Sequence, residues 1–220
     1  MKKTRTIIRM RFFVGAIMLV ALAAFPVLSQ EEGEMSFFIT SMGPGDGANL
    51  GGLAGADGHC ATLAQAAGAG GKTWHAYLST SGAGGVNARD RIGSGPWHNA
   101  KGVQVAANVD ELHYSNVGLT KETQLNEKGE MVNGRGDDPN QHDILTGSQL
   151  DGNRFTDGED HTCGNWTSNG EGSAQVGHHD RTGGGAVASS WNAAHGSRNC
   201  GQADLQATGG NGYFYCFAID

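Results

Sequence analysis

The sequence predicts a stapled, loop-rich domain in which one helix and several short strands carry long glycine-rich connections. Three observations lead there. Glycine supplies 37 of the 220 residues, more than twice the usual share of about 7%, and shows no G-x-y period. Its scatter among apolar runs implies many left-handed backbone positions and much irregular loop, a chain that loses unusual entropy on folding and gains from crosslinks. Four cysteines are present, three of them in the stretch from Cys163 to Cys216 that closes on the apolar run Y-F-Y-C-F-A-I. The remaining one, Cys60, lies far upstream, so a bond from it would hang the long middle on one closed frame.

The first 29 residues read as a signal peptide. Lys2, Lys3, Arg5, Arg9 and Arg11 form a cationic start, a continuous apolar and small-residue run follows, Pro26 breaks it, and Val27-Leu28-Ser29 offers a cleavage site after Ser29. The alternative, a retained anchor, needs about 20 apolar residues, and this run is shorter. No cysteine stands near the cleavage point to take a lipid. Residues 30–34 read as a disordered acidic leader and 35–220 as one domain, secreted or periplasmic, with no membrane span once the signal is removed.

In such a compartment an even number of cysteines reads as two disulfides, with three pairings open. Removal of the leader leaves ten Lys+Arg against 22 Asp+Glu, a net charge of −12. That balance excludes nucleic acid and anionic membrane as partners and suits hard cations such as calcium.

Along the chain, residues 35–41 (M-S-F-F-I-T-S) form an apolar run before a turn cluster and predict a buried strand. Residues 56–67 predict a helix with Cys60, Leu63 and Ala67 on one face and Asp57 near its start as a cap. Residues 73–79 predict a strand with Trp74, Ala76 and Leu78 alternating against His75, Tyr77 and Ser79. Residues 86–92 predict a turn, Pro96-Trp97 and 103–107 short extended pieces, and 108–113 a short helix opened by Asn108. Residues 119–143 are polar and turn-rich and predict a long surface loop. Residues 144–147 predict a brief strand, followed by the turn clusters L-D-G-N-R and T-D-G-E-D.

Several blocks together resemble the endostatin branch of the C-type lectin-like fold: G-A-D-G-H-C with K-T-W-H-A-Y-L-S, V-N-A-R-D-R-I with P-W, T-G-S-Q-L-D-G-N-R with T-C-G-N-W, then S-W, Cys200 and Y-F-Y-C-F-A-I. The order of the blocks and the cysteine placement, over residues 36–220, carry the likeness, which extends to exported bacterial polypeptides described as lectins. It implies nested disulfides, Cys60–Cys216 and Cys163–Cys200. It also implies an α+β fold of two small antiparallel sheets, two helices and long Gly-rich loops, with the last strand beside the first.

Three groups of residues could carry chemistry. Trp191-Asn192 resembles the W-N-D signature of calcium-dependent sugar binders, with Ala193 in place of the carboxylate. Trp166 and Trp191 beside Asn165, Asn192, His195 and Asp180 would make an aromatic face with converging amides, as a glycan needs. The plainer alternative makes Trp191 core and Asn192 a turn residue. His178, His179, Asp180 and His195 are zinc-type ligands. Adjacent histidines on a strand face opposite ways, so one of the pair would join His195, and His161 could complete the set. Endostatin's own zinc histidines have no match here, and solvated loop histidines are the competing explanation. Asp137, Asp138, Asp143, Asp151, Asp157, Glu159 and Asp160 would offer calcium its oxygens, against the alternative of a solvated acidic surface.

No nucleophile elbow, H-E-x-x-H or phosphate loop is present, and with both disulfides formed no thiol remains as a nucleophile. The expectation is a non-catalytic binding module, lectin-like, recognising a glycan or an envelope or extracellular protein, with calcium preferred to zinc as a cofactor. The alternatives are a stapled interaction domain without sugar or metal, and a metal-dependent hydrolase using His178, Asp180 and His195.

Overall fold

The computed structural model describes residues 33–183, 187 and 189–220. The expected signal peptide and residues 30–32 of the acidic leader lie outside the described residues. Strands β1 (Phe37–Ile39), β2 (Trp74–Ala76), β3 (Trp97–His98), β4 (Gln104–Ala106), β5 (Asp143–Leu145), β6 (Gln175–His178), β7 (His195–Gly196) and β8 (Gly210–Ala218) form two sheets. The larger runs β1-β8-β5-β6-β7 with β2 also on β8, and β3 pairs with β4 in the smaller. The fold is mixed α+β, as expected. The sheets are not both antiparallel, however, because β5 runs parallel to β8 with Leu145 beside Phe214.

The apolar run 213–219 is the middle of the molecule. Phe217 of β8 pairs with Phe37 on one side and His75 on the other, so the last strand does lie beside the first and holds β2 on its opposite edge. Successive side chains of a strand point to opposite faces, and both faces of β8 are covered. Phe214, Cys216 and Ala218 join Phe38, Trp74, Ala76, Leu78 and Leu145 in one core. Tyr213, Tyr215 and Phe217 join Phe37, Ile39, Tyr77, Trp97 and Trp191 in a second. The alternation expected for residues 73–79 holds: Trp74, Ala76 and Leu78 face the first core and Tyr77 faces away from them, yet Tyr77 is wholly buried because a second core covers that side.

Helix α1 (Gly52–Ala66) packs on the first core through Ala56, Cys60, Leu63 and Ala64, an i, i+4, i+7, i+8 stripe. It begins four residues earlier than expected, on Gly51 in a left-handed conformation, so Asp57 is no cap. The Asp57 carboxylate instead accepts from the Ala76 amide at 2.8 Å and from the Arg91 guanidinium at 2.6 Å, tying the helix to β2 and to the 3₁₀ turn Ala88–Arg91. Ala67 is exposed because it caps the helix. Residues 108–113 contribute a π-helical turn, Glu111–Ser115, whose first amide donates to Asn108 Oδ1 at 2.9 Å. A short helix at Gln202–Thr208, ended by left-handed Gly209, was not expected.

Both disulfides are present, Cys60–Cys216 and Cys163–Cys200, the nested pairing that the resemblance implies. The first joins α1 to β8. The second anchors the turn Cys163–Trp166, whose residues all sit at positive φ, from 50° at Cys163 to 67° at Trp166. L-residues disfavour this conformation by about 1–2 kcal/mol each. The disulfide, the Trp166 indole bonded to the Ser79 carbonyl at 2.8 Å and the Thr162 hydroxyl accepting from the Asn165 amide hold it in place.

Residues 119–143 are irregular but not a surface loop throughout. Leu119, Leu125 and Val132 are buried, and the Ile39 amide donates to the Leu125 carbonyl at 2.9 Å, so the segment covers the outer edge of β1.

One glycine on β6 has a direct steric reason. A Cβ at Gly177 would collide with the Trp191 carbonyl, so the absence of a side chain lets residues 190–194 lie against the strand. Gly177→Ala is expected to cost about 1–3 kcal/mol through forced backbone displacement, read as a lower urea midpoint. An unchanged midpoint would show that this segment yields freely.

Candidate functional site

The chemistry gathers where β5, β6 and β7 lie side by side. Asp143 and His178 are direct cross-strand partners, and His195 stands opposite Val176, two residues before His178. Direct and diagonal neighbours of this kind share one face of a sheet. His142 precedes β5, and its ring stacks on that of His178 with centroids 4.1 Å apart and planes 11° apart.

Three imidazoles converge on one oxygen. Asp143 Oδ1 lies 3.3 Å from His142 Nε2, 3.3 Å from His178 Nε2 and 3.4 Å from His195 Nε2. Ligating atoms of His142, Asp143 and His178 fall within 4.8 Å of one another. Both Asp143 oxygens are buried, and among the described residues neither has a hydrogen bond of regular geometry; the three nitrogens stand at ion-pair distance. The tautomers follow from the far side of two rings. His195 Nδ1 lies 3.0 Å from the Gly196 carbonyl and must donate to it. His142 Nδ1 lies 3.4 Å from Asp180 Oδ1 and donates to that carboxylate. In its neutral form each ring therefore turns a bare Nε2 toward Asp143, and only the protonated ring donates there.

Asp180 stands behind the cluster. Its Oδ2 accepts from the Arg135 amide at 2.6 Å and its Oδ1 from the Thr182 amide at 3.1 Å. Burial pushes its carboxyl up, but the His142 bond and these amides outweigh that and hold it well below the usual range. Asp143 shows the same contest: burial pushes it up, the imidazoles of His178 and His195 pull it down, and the net shift is downward. The Asp143 carboxylate raises His195 against the opposing effect of burial.

The residues singled out from the sequence are dispersed by the fold. His178 and His195 come together, with ring centroids 5.0 Å apart. His179 points away, its Nε2 3.0 Å from the Asn133 carbonyl. His161 pairs with Asp157 at 2.9 Å and stacks on Phe155. The expected aromatic face is absent at Trp166 and Trp191, because both indoles are in the cores. Asn192 is buried too, its amide donating to Tyr77 Oη and to the Gln149 and Leu150 carbonyls. Asn165 Oδ1 accepts from the Ser81 amide at 2.7 Å.

The calcium implied by the W-N signature does not fit: Asn192 is committed to these bonds and Ala193 brings no oxygen. The acidic loop residues do not converge either. Asp151 serves Asn153, Asp157 serves His161 and the Glu159 amide, Asp160 serves Thr162 and Gly164, and Asp137 serves Lys121 and the Gly134 amide. Asp143 is apart from them, buried in β5. His142 was missed by the sequence reading; its signal was an H-D pair opening an apolar I-L strand.

No protein-family model matches the chain, and no curated protein matches its sequence. The assignment of the site therefore rests on its geometry.

A second buried histidine group has a structural role. His113 Nδ1 donates to the Val109 carbonyl, and its Nε2 accepts from Tyr77 Oη, both at 2.8 Å. Burial lowers its pKa. The unfolded chain takes up a proton near 6.5 that folded His113 refuses, so this group withdraws stability as the pH falls through that value, by at most about 1.4 kcal/mol per pH unit. His195, raised in the fold, acts with the opposite sign. Comparing wild type with His113→Gln from pH 7.5 to 5.5 isolates the effect: the urea midpoint of the wild type is expected to fall more steeply. Parallel slopes would remove His113 as the cause.

Proposed function

We propose that this chain is an exported, metal-dependent binding module of the C-type lectin-like class, holding a zinc-type ion at His142, Asp143, His178 and His195. The nested disulfides and the pairing of β1 with β8 support the fold class. Disulfides also favour an oxidising compartment, and no helix of the described residues is long and apolar enough to cross a membrane.

One observation carries the metal reading. A buried carboxylate with no regular hydrogen bond among the described residues, ringed by imidazole nitrogens at 3.3–3.4 Å, is costly unless positive charge answers it. Two nitrogens and one oxygen within 4.8 Å of one another, with His195 Nε2 3.4 Å from Asp143 as a fourth donor, suit zinc, and calcium, which takes six to eight oxygens, drops behind it. Asp180 bonded to His142 is the carboxylate–histidine arrangement that orients a ligand and raises its basicity. The partner remains a glycan or an envelope or extracellular protein, bound without covalent chemistry.

Calorimetric titration of the purified chain with zinc is expected to show one ion per chain, abolished by His178→Ala. No binding at micromolar zinc would end this reading. Asp180→Asn should weaken zinc about 10–100-fold while leaving one ion per chain; full affinity would mean that Asp180 does not orient His142.

Glycan recognition without a metal is favoured by one further feature. Phe155 is partly exposed and stands between two clefts, of 570 and 610 Å³, the first also lined by Asn165, Arg154 and Ser81. A glycan array probed with and without chelator decides between the two: chelator-insensitive binding supports this alternative.

A further inference from the structure

We infer that the metal centre is open on one side, and that the cleft beside His195 delivers to it the carboxylate of a monoanionic ligand with an apolar body. This rests on the reading of the cluster as a metal site.

The four donors are held unequally. The side chains of His142, Asp143 and His178 are 6%, 3% and 3% exposed, whereas that of His195 is 40% exposed. The first three come from β5, the residue preceding it, and β6, inside the larger sheet. His195 comes from β7, a two-residue strand at the edge of that sheet, paired to β6 alone. Two histidines and one carboxylate already make the three-point facial set that binds a transition ion and leaves positions free. His195 is then the ligand on the solvent side.

His195 also lines a cleft. It measures 610 Å³, and its lining includes Leu150, Phe155, Ala193, Ala194, Gln175 and His195. Its size is that of a small-molecule site, and apolar walls with a few polar groups are what such sites use. The walls suit a hydrocarbon or aromatic body, and the Gln175 amide can fix its orientation. Charge selects the head group. One carboxylate leaves a divalent ion with a net positive charge, which a monoanion neutralises. Asp151 also lines the cleft and is occupied by its own turn, accepting from the Asn153 amide at 3.0 Å and the Asn153 side chain at 2.6 Å. Its negative charge at the wall disfavours dianions such as phosphate.

The test uses the full chain loaded with Co²⁺, whose visible spectrum reports the coordination sphere. Acetate, phenylacetate and inorganic phosphate are titrated in turn. Both carboxylates are expected to change the spectrum, phenylacetate at a concentration at least tenfold lower than acetate, and phosphate only weakly. Leu150→Trp, which fills the cleft, should erase the advantage of phenylacetate, with metal content measured on the same sample. His195→Ala should bind Co²⁺ more weakly and respond to acetate at lower concentration, since a position has been vacated. A bound Co²⁺ whose spectrum none of the anions moves would mean a closed structural centre, overturning this inference but not the metal site. A response to phosphate equal to that of phenylacetate would overturn the ligand class. Failure to bind Co²⁺ at all would remove the centre and this inference with it.

Discussion

An Asp143→Asn chain is expected to bind zinc on the order of a hundredfold more weakly than the wild type, because one donor of four carries a comparable share of a structural ion's binding energy. Without metal, the same variant is expected to unfold at an equal or higher denaturant concentration. The two halves come from one fact: both Asp143 oxygens are buried with no regular hydrogen bond among the described residues. In the metal-free protein at neutral pH the imidazoles compensate that buried charge only in part, and the neutral amide of the same shape removes the remaining cost. A ligand that is costly without its ion and necessary with it gives opposite signs in the two states. Urea unfolding with zinc and with chelator measures both. If zinc affinity is unchanged, Asp143 is not a ligand. If the metal-free variant is strongly destabilised, the carboxylate is an ordinary ion pair with protonated histidines and the metal assignment falls.

Replacing Cys60 and Cys216 together by alanine is expected to cost about 5 kcal/mol. The bond closes a separation of 156 residues, and the constraint on the unfolded chain grows with loop length. For Cys163–Cys200, separated by 37 residues, the expected cost is about 4 kcal/mol. A domain's whole stability is about 5–15 kcal/mol, so loss of the longer bond should leave the chain largely unfolded at 37 °C. Circular dichroism melts of the two double variants rank them. Equal losses would mean that local strain at residues 163–166, and not loop length, sets the contribution of the shorter bond.

Much of the fold was legible from residues alone, and the failures share a cause. Strands β1, β2, β3, β4, β5 and β8 stand where apolar runs and turn residues place them, and Cys60 and Leu63 do face the core. Trp166 and Trp191 misled because aromatic residues with polar atoms read equally well as surface or core, and only the packing decides: Trp166 lies in the first core and Trp191 in the second. The polar atoms of such residues do have uses inside: the Trp166 indole meets the Ser79 carbonyl, and Tyr77 Oη meets His113 and Asn192. Asp57 looked like a cap because the helix was started too late. The candidate site was half legible. His178 and His195 were named, but their partners, His142 and Asp143, lie more than thirty residues earlier. Nothing local links these pairs; the β5–β6 register does. Asp180 was placed among the ligands, whereas it acts on His142 from behind.

The strand made last is also the one on which three others assemble. β1, β2 and β5 are all synthesised before β8, and each pairs with it. Until residues 210–218 exist, β1 and β2 lack their partner strand and the two cores have no wall between them, whereas β5, β6 and β7 can already pair with one another. The pairings of β1, β2 and β5 with β8 span long sequence separations, the kind that closes slowly.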